Sequence, residues 1–368
     1  MQNPLPANSC LRAWYLSKQT FDLQDSACDP DRWRATDTNE APRHFLNIDY
    51  ETPVSAYPRE WSQAIARFGS LAVKNGQVPW RVEEMYHQLV AAFRADRTDM
   101  VAYESEILRI SFVLSHYVTD SFSVLHDTKN FDPNNGLHER WESVMLSNSA
   151  ENNAMQLLAE PLYGTPGIAD PRNNVFDMVI VGNGVAPQLV AADRAASGDG
   201  GVYNVATYDM QVLFEQSKDL TSRRWADGLT VLSSLLWTAW AQAGRPELSG
   251  FSADCSRAPP TGEIVLKGYP TVLTHPGDSG VILPPFDGGP VMPRVDAGVV
   301  DAGTTTPTDA GIDPSDAGST GGGAGGGSGG GGGGTEPPPM GCGCGQVDAP
   351  VLLISGLLAM LLGRRRRA

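Results

Sequence analysis

"LSHYVTDSFSVLHDTKNFDPNNGLHERWE", Leu114 to Glu142, carries three of the six histidines in a chain of 368 residues. Two of them are followed by a carboxylate at the fourth position, His116 by Asp120 and His138 by Glu142. On a helix, residues four apart lie one turn apart on one face, so each pair presents an imidazole beside a carboxylate. His126 lies between the pairs. Imidazole nitrogen and carboxylate oxygen are the usual donors to zinc, and two such pairs on separate helices can enclose metal. The stretch therefore predicts helices gathered around a metal centre. Upstream, "DPDRWRATDTNEAPRHFLNID" (29–49) adds His44, with Asp31 thirteen residues before it or Asp29 at fifteen.

The flanking sequence has helical period. In "VPWRVEEMYHQLVAAFRA" (78–95), Val82, Met85, Tyr86, Leu89, Val90 and Phe93 recur at steps of three and one, and Pro79 sits where a first turn tolerates proline. Asp99 is the expected N-cap of the next helix, which runs through Leu108 and Phe112 to His116 and Asp120. From Asp219 to Ala243, Leu220, Trp225, Leu229, Leu232, Leu236 and Trp240 share a face, and Gly244 with Pro246 just beyond marks the stop. "DPRNNVFDMVIVGNG" (170–184), poor in helix formers, reads as loop plus a short helix. Alternating strand patterns are scarce, and the expected class is all-α.

Composition divides the chain. Residues 1–248 hold nearly all the aromatic side chains and form the expected helical domain, large enough for one core. Residues 249–293 are a Pro/Gly-rich extension. Residues 294–340 repeat "DAG" and then run to glycine, the composition of a flexible acidic spacer that cannot bury enough apolar surface to order. Residues 341–368, "GCGCGQVDAPVLLISGLLAMLLGRRRRA", combine two cysteines, an apolar run from Val351 to Leu362 and four arginines. That run is shorter than the ~18 residues of an ordinary spanning helix. The formal charge of −15 argues against long-range steering of nucleic acid, though not against a local phosphate pocket. Five cysteines make no disulfide framework; Cys10 and Cys28 could pair, and Cys255 is isolated.

Other signals carry less. "GDSG" at 277–280 lies in a Pro-rich stretch with His275 too close to serve it, and reads as a turn. In "VIVGNGVAP", Pro187 stands where a dinucleotide loop needs its third glycine. His87 reads as a packed or half-exposed helix residue, and Asp127 as a group behind the ligands or in solvent. Phe131 and Trp141 read as core packing, with pocket walls as the alternative.

The order His-x3-Asp-x5-His-x11-His-x3-Glu resembles the zinc-dependent phospholipase C family, which shares an all-helical fold and a three-zinc cluster with the single-strand-specific zinc nucleases. "APRHFLNID", "VPWRVEEMYHQLVAAFR" and "LLWTAWAQAGRP" extend the resemblance over about Asp29 to Pro246. It implies one zinc on Asp31 (or Asp29), His44, His116 and Asp120, and a second on His126, His138 and Glu142. Asp120 would bridge to a third zinc, and Asp31 and Asp120 are the expected catalytic carboxylates. The implied activity is phosphodiester hydrolysis by a metal-activated hydroxide. Glu142, where the nucleases have aspartate, and the short spacing from His126 to His138 favour a phospholipid substrate over single-stranded nucleic acid.

In the family the third zinc is held by an N-terminal tryptophan and a nearby histidine. This sequence has no histidine before Asp29, and Trp14 lacks that company. The 341–368 tail resembles the MYXO-CTERM sorting tail of myxobacterial surface proteins. It implies export, contact with envelope sorting machinery, and anchoring at the cell surface through Cys342 or Cys344. No signal peptide is visible. One missing upstream segment would account for both absences, so the expected true start lies before Met1. A surface-anchored, zinc-binding relic without activity is the reading from another class. The expected protein is a monomer.

Overall fold

In a computed structural model, residues 10–18, 25–147, 168, 170–198 and 201–251 are described, and among them the architecture is helical with no strand. Short elements come first: α1 (Cys10–Ser17), α2 (Asp29–Trp33), α3 (Trp61–Phe68) and α4 (Leu71–Lys74). Two long helices follow, α5 (Val78–Arg94) and α6 (Met100–Asp120). A single helical segment is then built from α7 (Leu137–Glu139), a π turn (Arg140–Val144) and α8 (Met145–Ser147). Helices α9 (Pro171–Ala196) and α10 (Met210–Gln242) complete the set. The described residues belong to one of the two units into which the chain divides. The other, Pro293–Met340, lies outside them, as do Cys342 and Cys344, the cysteines expected to carry an anchor.

Three of the four long helices start the same way. The side chain of Asp99 accepts from the amides of Val101 and Ala102 at 3.0 and 3.1 Å, Asp170 from Asn173 at 2.9 Å, and Asp209 from Gln211 and Val212 at 2.9 and 3.2 Å. Each carboxylate satisfies amides that no helical carbonyl can reach and places negative charge at the positive end of the helix dipole. Helix α5 instead opens on Pro79. At the other end of α10, Gly244 takes φ +88° and the Trp240 indole donates to the Pro246 carbonyl at 3.0 Å.

The four long helices make the core: α5 packs on α6, α9 and α10, and α10 also packs on α6 and α9. The stripe expected on α5 is buried throughout, and on α10 Leu229, Leu232, Leu236 and Trp240 face inward. Helix α10 begins at Met210 rather than Asp219, because the Asp209 cap precedes the apolar stripe by several turns. The larger departure is α9. The stretch expected to be loop plus a short helix lies within a helix of 26 residues that continues through Pro187. Asp170 and Pro171 start it, and Val175, Val179, Gly182, Ala186 and Leu189 form its buried stripe. Tertiary packing of that stripe outweighs the weak intrinsic propensity of Asn, Gly and β-branched residues. By length and composition α9 could cross a membrane, yet its apolar side packs on α5 and α10.

The N-terminal elements are tied onto α6. Cys10 and Cys28 are disulfide-bonded. Tyr15 hydrogen-bonds Ser111 at 2.8 Å. The Trp14 indole is spent in the core, donating to Glu104 of α6 at 3.2 Å.

Candidate metal centre

His116 and Asp120 sit on the last turn of α6, both buried and four residues apart, with Oδ2 of Asp120 3.3 Å from Nε2 of His116. The short 3-10 turn Ala41–His44 brings in the His44 ring perpendicular to that of His116, its Nδ1 3.0 Å from His116 Nε2 and 2.9 Å from Asp120 Oδ2. From α2, Oδ1 of Asp31 lies 3.9 Å from each of those two nitrogens. An ion with zinc-to-nitrogen distances near 2.0 Å in tetrahedral geometry needs donors about 3.3 Å apart, and the observed separations bracket that value. The alternative acid, Asp29, turns outward and pairs with Arg32 at 3.1 Å. Asp31 is therefore the aspartate that the fold delivers.

A second cluster lies alongside. Nε2 of His126 is 3.0 Å from Nε2 of His138 and 3.7 Å from Oε1 of Glu142, and His138 Nε2 is 2.9 Å from Glu142 Oε2. The π turn that starts at Arg140 interrupts the α-helix between these ligands, but the one-turn contact survives it. The donor atoms of Asp31, His44 and His116, and separately those of His126, His138 and Glu142, all lie within 4.8 Å of one another, so two groups could each hold a metal ion. Asp120 stands between them: Oδ2 faces the first group, and Oδ1 is 3.7 Å from Nδ1 of His126.

The rings are oriented from behind. Nδ1–H of His116 donates to the Ala27 carbonyl at 2.8 Å, and Nδ1–H of His126 donates to the His44 carbonyl at 2.7 Å. With the proton held on Nδ1, the Nε2 lone pair of each ring points into its cluster. Burial works against charge on Asp120, but His116 and His126 overcome it and hold the carboxyl well below its ordinary range. The same balance, won by His138 and His126, holds Glu142 at about 2. Burial pushes His116 down while Asp120 and Asp31 raise it to about 9. An entering cation competes with that proton, so affinity for metal falls as pH falls.

Buried arginines fasten both clusters, and the sequence reading did not anticipate them. Arg224 of α10 donates to the carbonyls of Phe122, Ser121 and Met178 at 3.1, 3.2 and 3.1 Å, and lies 3.4 Å from Oδ2 of Asp127. It thereby ties the turn between Asp120 and His126 to α9 and α10. Asp127 is fully buried in this contact, not in solvent. Arg140, between His138 and Glu142 in the chain, meets Oδ1 of buried Asp193 at 2.8 Å and lies 3.8 Å from the Tyr203 ring centroid. The clue available was positional: Arg224 occupies the inward side of α10, between Thr221 and Gly228. Of the remaining residues, His87 is exposed, while Trp141 is buried with its indole donating to Thr221 at 2.9 Å.

The same region holds a strained acid. Burial pushes Asp227 up from 3.8 to about 6 against the opposing pull of Arg224 and Arg223. Between those values the folded chain keeps a proton that the unfolded chain has shed, so this group makes stability fall as pH rises across that window. At about 1.4 kcal/mol per pH unit the loss is roughly 3 kcal/mol. Asp227→Asn is expected to be more stable than the parent at pH 8 and nearly equal to it at pH 4. Urea unfolding in chelator at both values checks this, and parallel stability curves would refute it.

Comparison of the chain with protein-family models, with curated proteins and with solved structures returns no match.

Proposed function

We propose that this chain is a zinc-dependent phosphodiester hydrolase of the phospholipase C type, held at the cell surface. The observation that carries the reading is the convergence of Asp31, His44, His116, Asp120, His126, His138 and Glu142 into two adjacent donor groups. The donor sets differ in a useful way. Two carboxylates, Asp31 and Asp120, offset a divalent charge in the first group. Glu142 alone leaves one positive charge uncompensated in the second, where three protein donors also leave the fourth position open. Such a pair suits an anionic phosphodiester. When bound, zinc ions would lower the pKa of a water toward neutrality and draw charge from the non-bridging phosphate oxygens.

The chain's own residues supply orientation. Ser123 donates to Oε1 of Glu142, and the Ala27 and His44 carbonyls hold the protons of His116 and His126 away from the ligand side. Asp120 joins the first cluster through Oδ2, and its Oδ1 lies 3.7 Å from Nδ1 of His126, behind the ring that serves the second. Disulfide bonding of both Cys10 and Cys28 supports an oxidising compartment, which accords with export and the sorting-type tail.

The test uses full-length protein on phosphatidylcholine micelles and on single-stranded DNA, each with chelator and with zinc restored. Headgroup release that chelator abolishes and zinc restores is the expected result. Cleavage of DNA instead would make the chain a nuclease. Two bound zincs with neither activity would make it a non-catalytic surface module.

A further inference from the structure

Behind the first cluster lies a carboxylate that its ligand set does not include. Glu40 is buried, four residues before His44, and its Oε1 is 3.7 Å from Nε2 of His44, on the ring edge facing away from the cluster. Tyr117 donates to Oε1 of Glu40, and Arg43 donates to Oε2 at 3.2 Å. Arg81 in turn donates to the Tyr117 hydroxyl at 3.1 Å and lies 4.8 Å from the centroid of its ring. These groups hold one carboxylate against one imidazole edge. That edge is otherwise unsatisfied: Nε2 of His44 is buried and has no hydrogen-bond partner.

His44 differs from His116 and His126 in the nitrogen it turns inward. Those two present Nε2, and backbone carbonyls hold the Nδ1 protons. His44 presents Nδ1. A neutral imidazole that gives Nδ1 to a cation must carry its proton on Nε2. We propose that Glu40 is the positioning residue for His44, the anionic acceptor that favours the Nε2–H tautomer and so frees Nδ1 to bind metal. Among the described residues no backbone carbonyl serves this ring as one serves each of the other two, and the Glu40 carboxylate, 3.7 Å from Nε2, is the group placed to take that part. Tyr117 and Arg81 position Glu40 in turn, so a line of buried groups runs from α5 to the cluster.

The inference rests on the metal-centre reading, and the experiment separates the two. Full-length protein and its Glu40→Gln and Glu40→Asp variants are titrated with zinc against a chromophoric chelator. Occupancy of each cluster is read from the 15N shifts of His44 and His138. Glu40→Gln is expected to weaken the His44 cluster about 10–100-fold, the usual cost of losing a carboxylate behind a metal-bound histidine. The His138 cluster should stay within about twofold, and Glu40→Asp, which restores the charge, should recover part of the loss. In the parent, zinc should bring His44 to the form with Nδ1 liganded and Nε2–H protected from exchange. Unchanged affinity at the His44 cluster in Glu40→Gln overturns the positioning role alone, as does ligation through Nε2 in the parent. A parent that takes zinc at neither cluster overturns the metal centre and the positioning role together. If Glu40→Gln fails to fold, the parent's His44 spectrum still decides which nitrogen binds.

Discussion

Asp120→Ala is expected to lose the first metal, keep the second, and reduce phosphodiester hydrolysis on the order of a thousandfold or more, about 4 kcal/mol in the barrier. Its side chain reaches both histidines of the first group and the back of His126: Oδ2 lies 2.9 Å from His44 and 3.3 Å from His116, and Oδ1 lies 3.7 Å from Nδ1 of His126. Removing it takes a charged donor from the four-donor group and leaves two facing imidazoles with Asp31 alone to offset a dication. His126, His138 and Glu142 do not need it to meet, because their mutual contacts of 3.0 and 2.9 Å are independent of Asp120. Metal analysis after dialysis should therefore fall from two ions per chain to one. Retention of both ions, with hydrolysis within tenfold of the parent, would remove Asp120 from the centre of the site.

Gly182→Ala is expected to be among the most destabilising single methyl additions in the described part of the chain. A Cβ at this position would stand 1.6 Å from Oδ2 of Asp127 and 2.9 Å from Nη2 of Arg224. Neither neighbour can retreat, since both are buried and Arg224 is held by three backbone carbonyls. The methyl group must therefore break a buried Asp–Arg contact, at a cost of about 3–5 kcal/mol. In a domain of this size that corresponds to a fall in Tm on the order of 10 °C. The turn between Asp120 and His126 loosens with it, so zinc affinity should fall at both clusters. Gly184, two residues along the same helix and on its exposed side, with nothing within 4 Å of its Cβ position, is the control, and Gly184→Ala should leave Tm almost unchanged. Equal melting of the two variants would mean that the close approach at Gly182 imposes no constraint.

The candidate metal-binding residues were legible to different degrees. His116 with Asp120, and His138 with Glu142, could be paired from spacing because helical geometry alone brings residues four apart together, and a π turn between the second pair does not undo it. The start of α6 at Asp99 and the apolar faces of α5 and α10 were readable for the same reason, each being decided by neighbours within one or two turns. Helix α9 was misread because its asparagines and glycines lower helix propensity, and the packing that overrides this involves α5, α10 and a carboxylate from another segment.

What the amino-acid sequence determined by itself was the all-helical class of the described region and the supply of donors, since both follow from local periodicity and residue chemistry. Only the tertiary structure decided that Asp31 rather than Asp29 faces His44 and His116, that His44 turns Nδ1 inward with Glu40 behind it, and that Arg224 and Arg140 fasten the ligand segments. These choices join residues up to about a hundred positions apart, such as Arg224 and Ser121. They rest on whether a buried polar atom finds a partner in the packed core, and that cost does not exist until the helices have met.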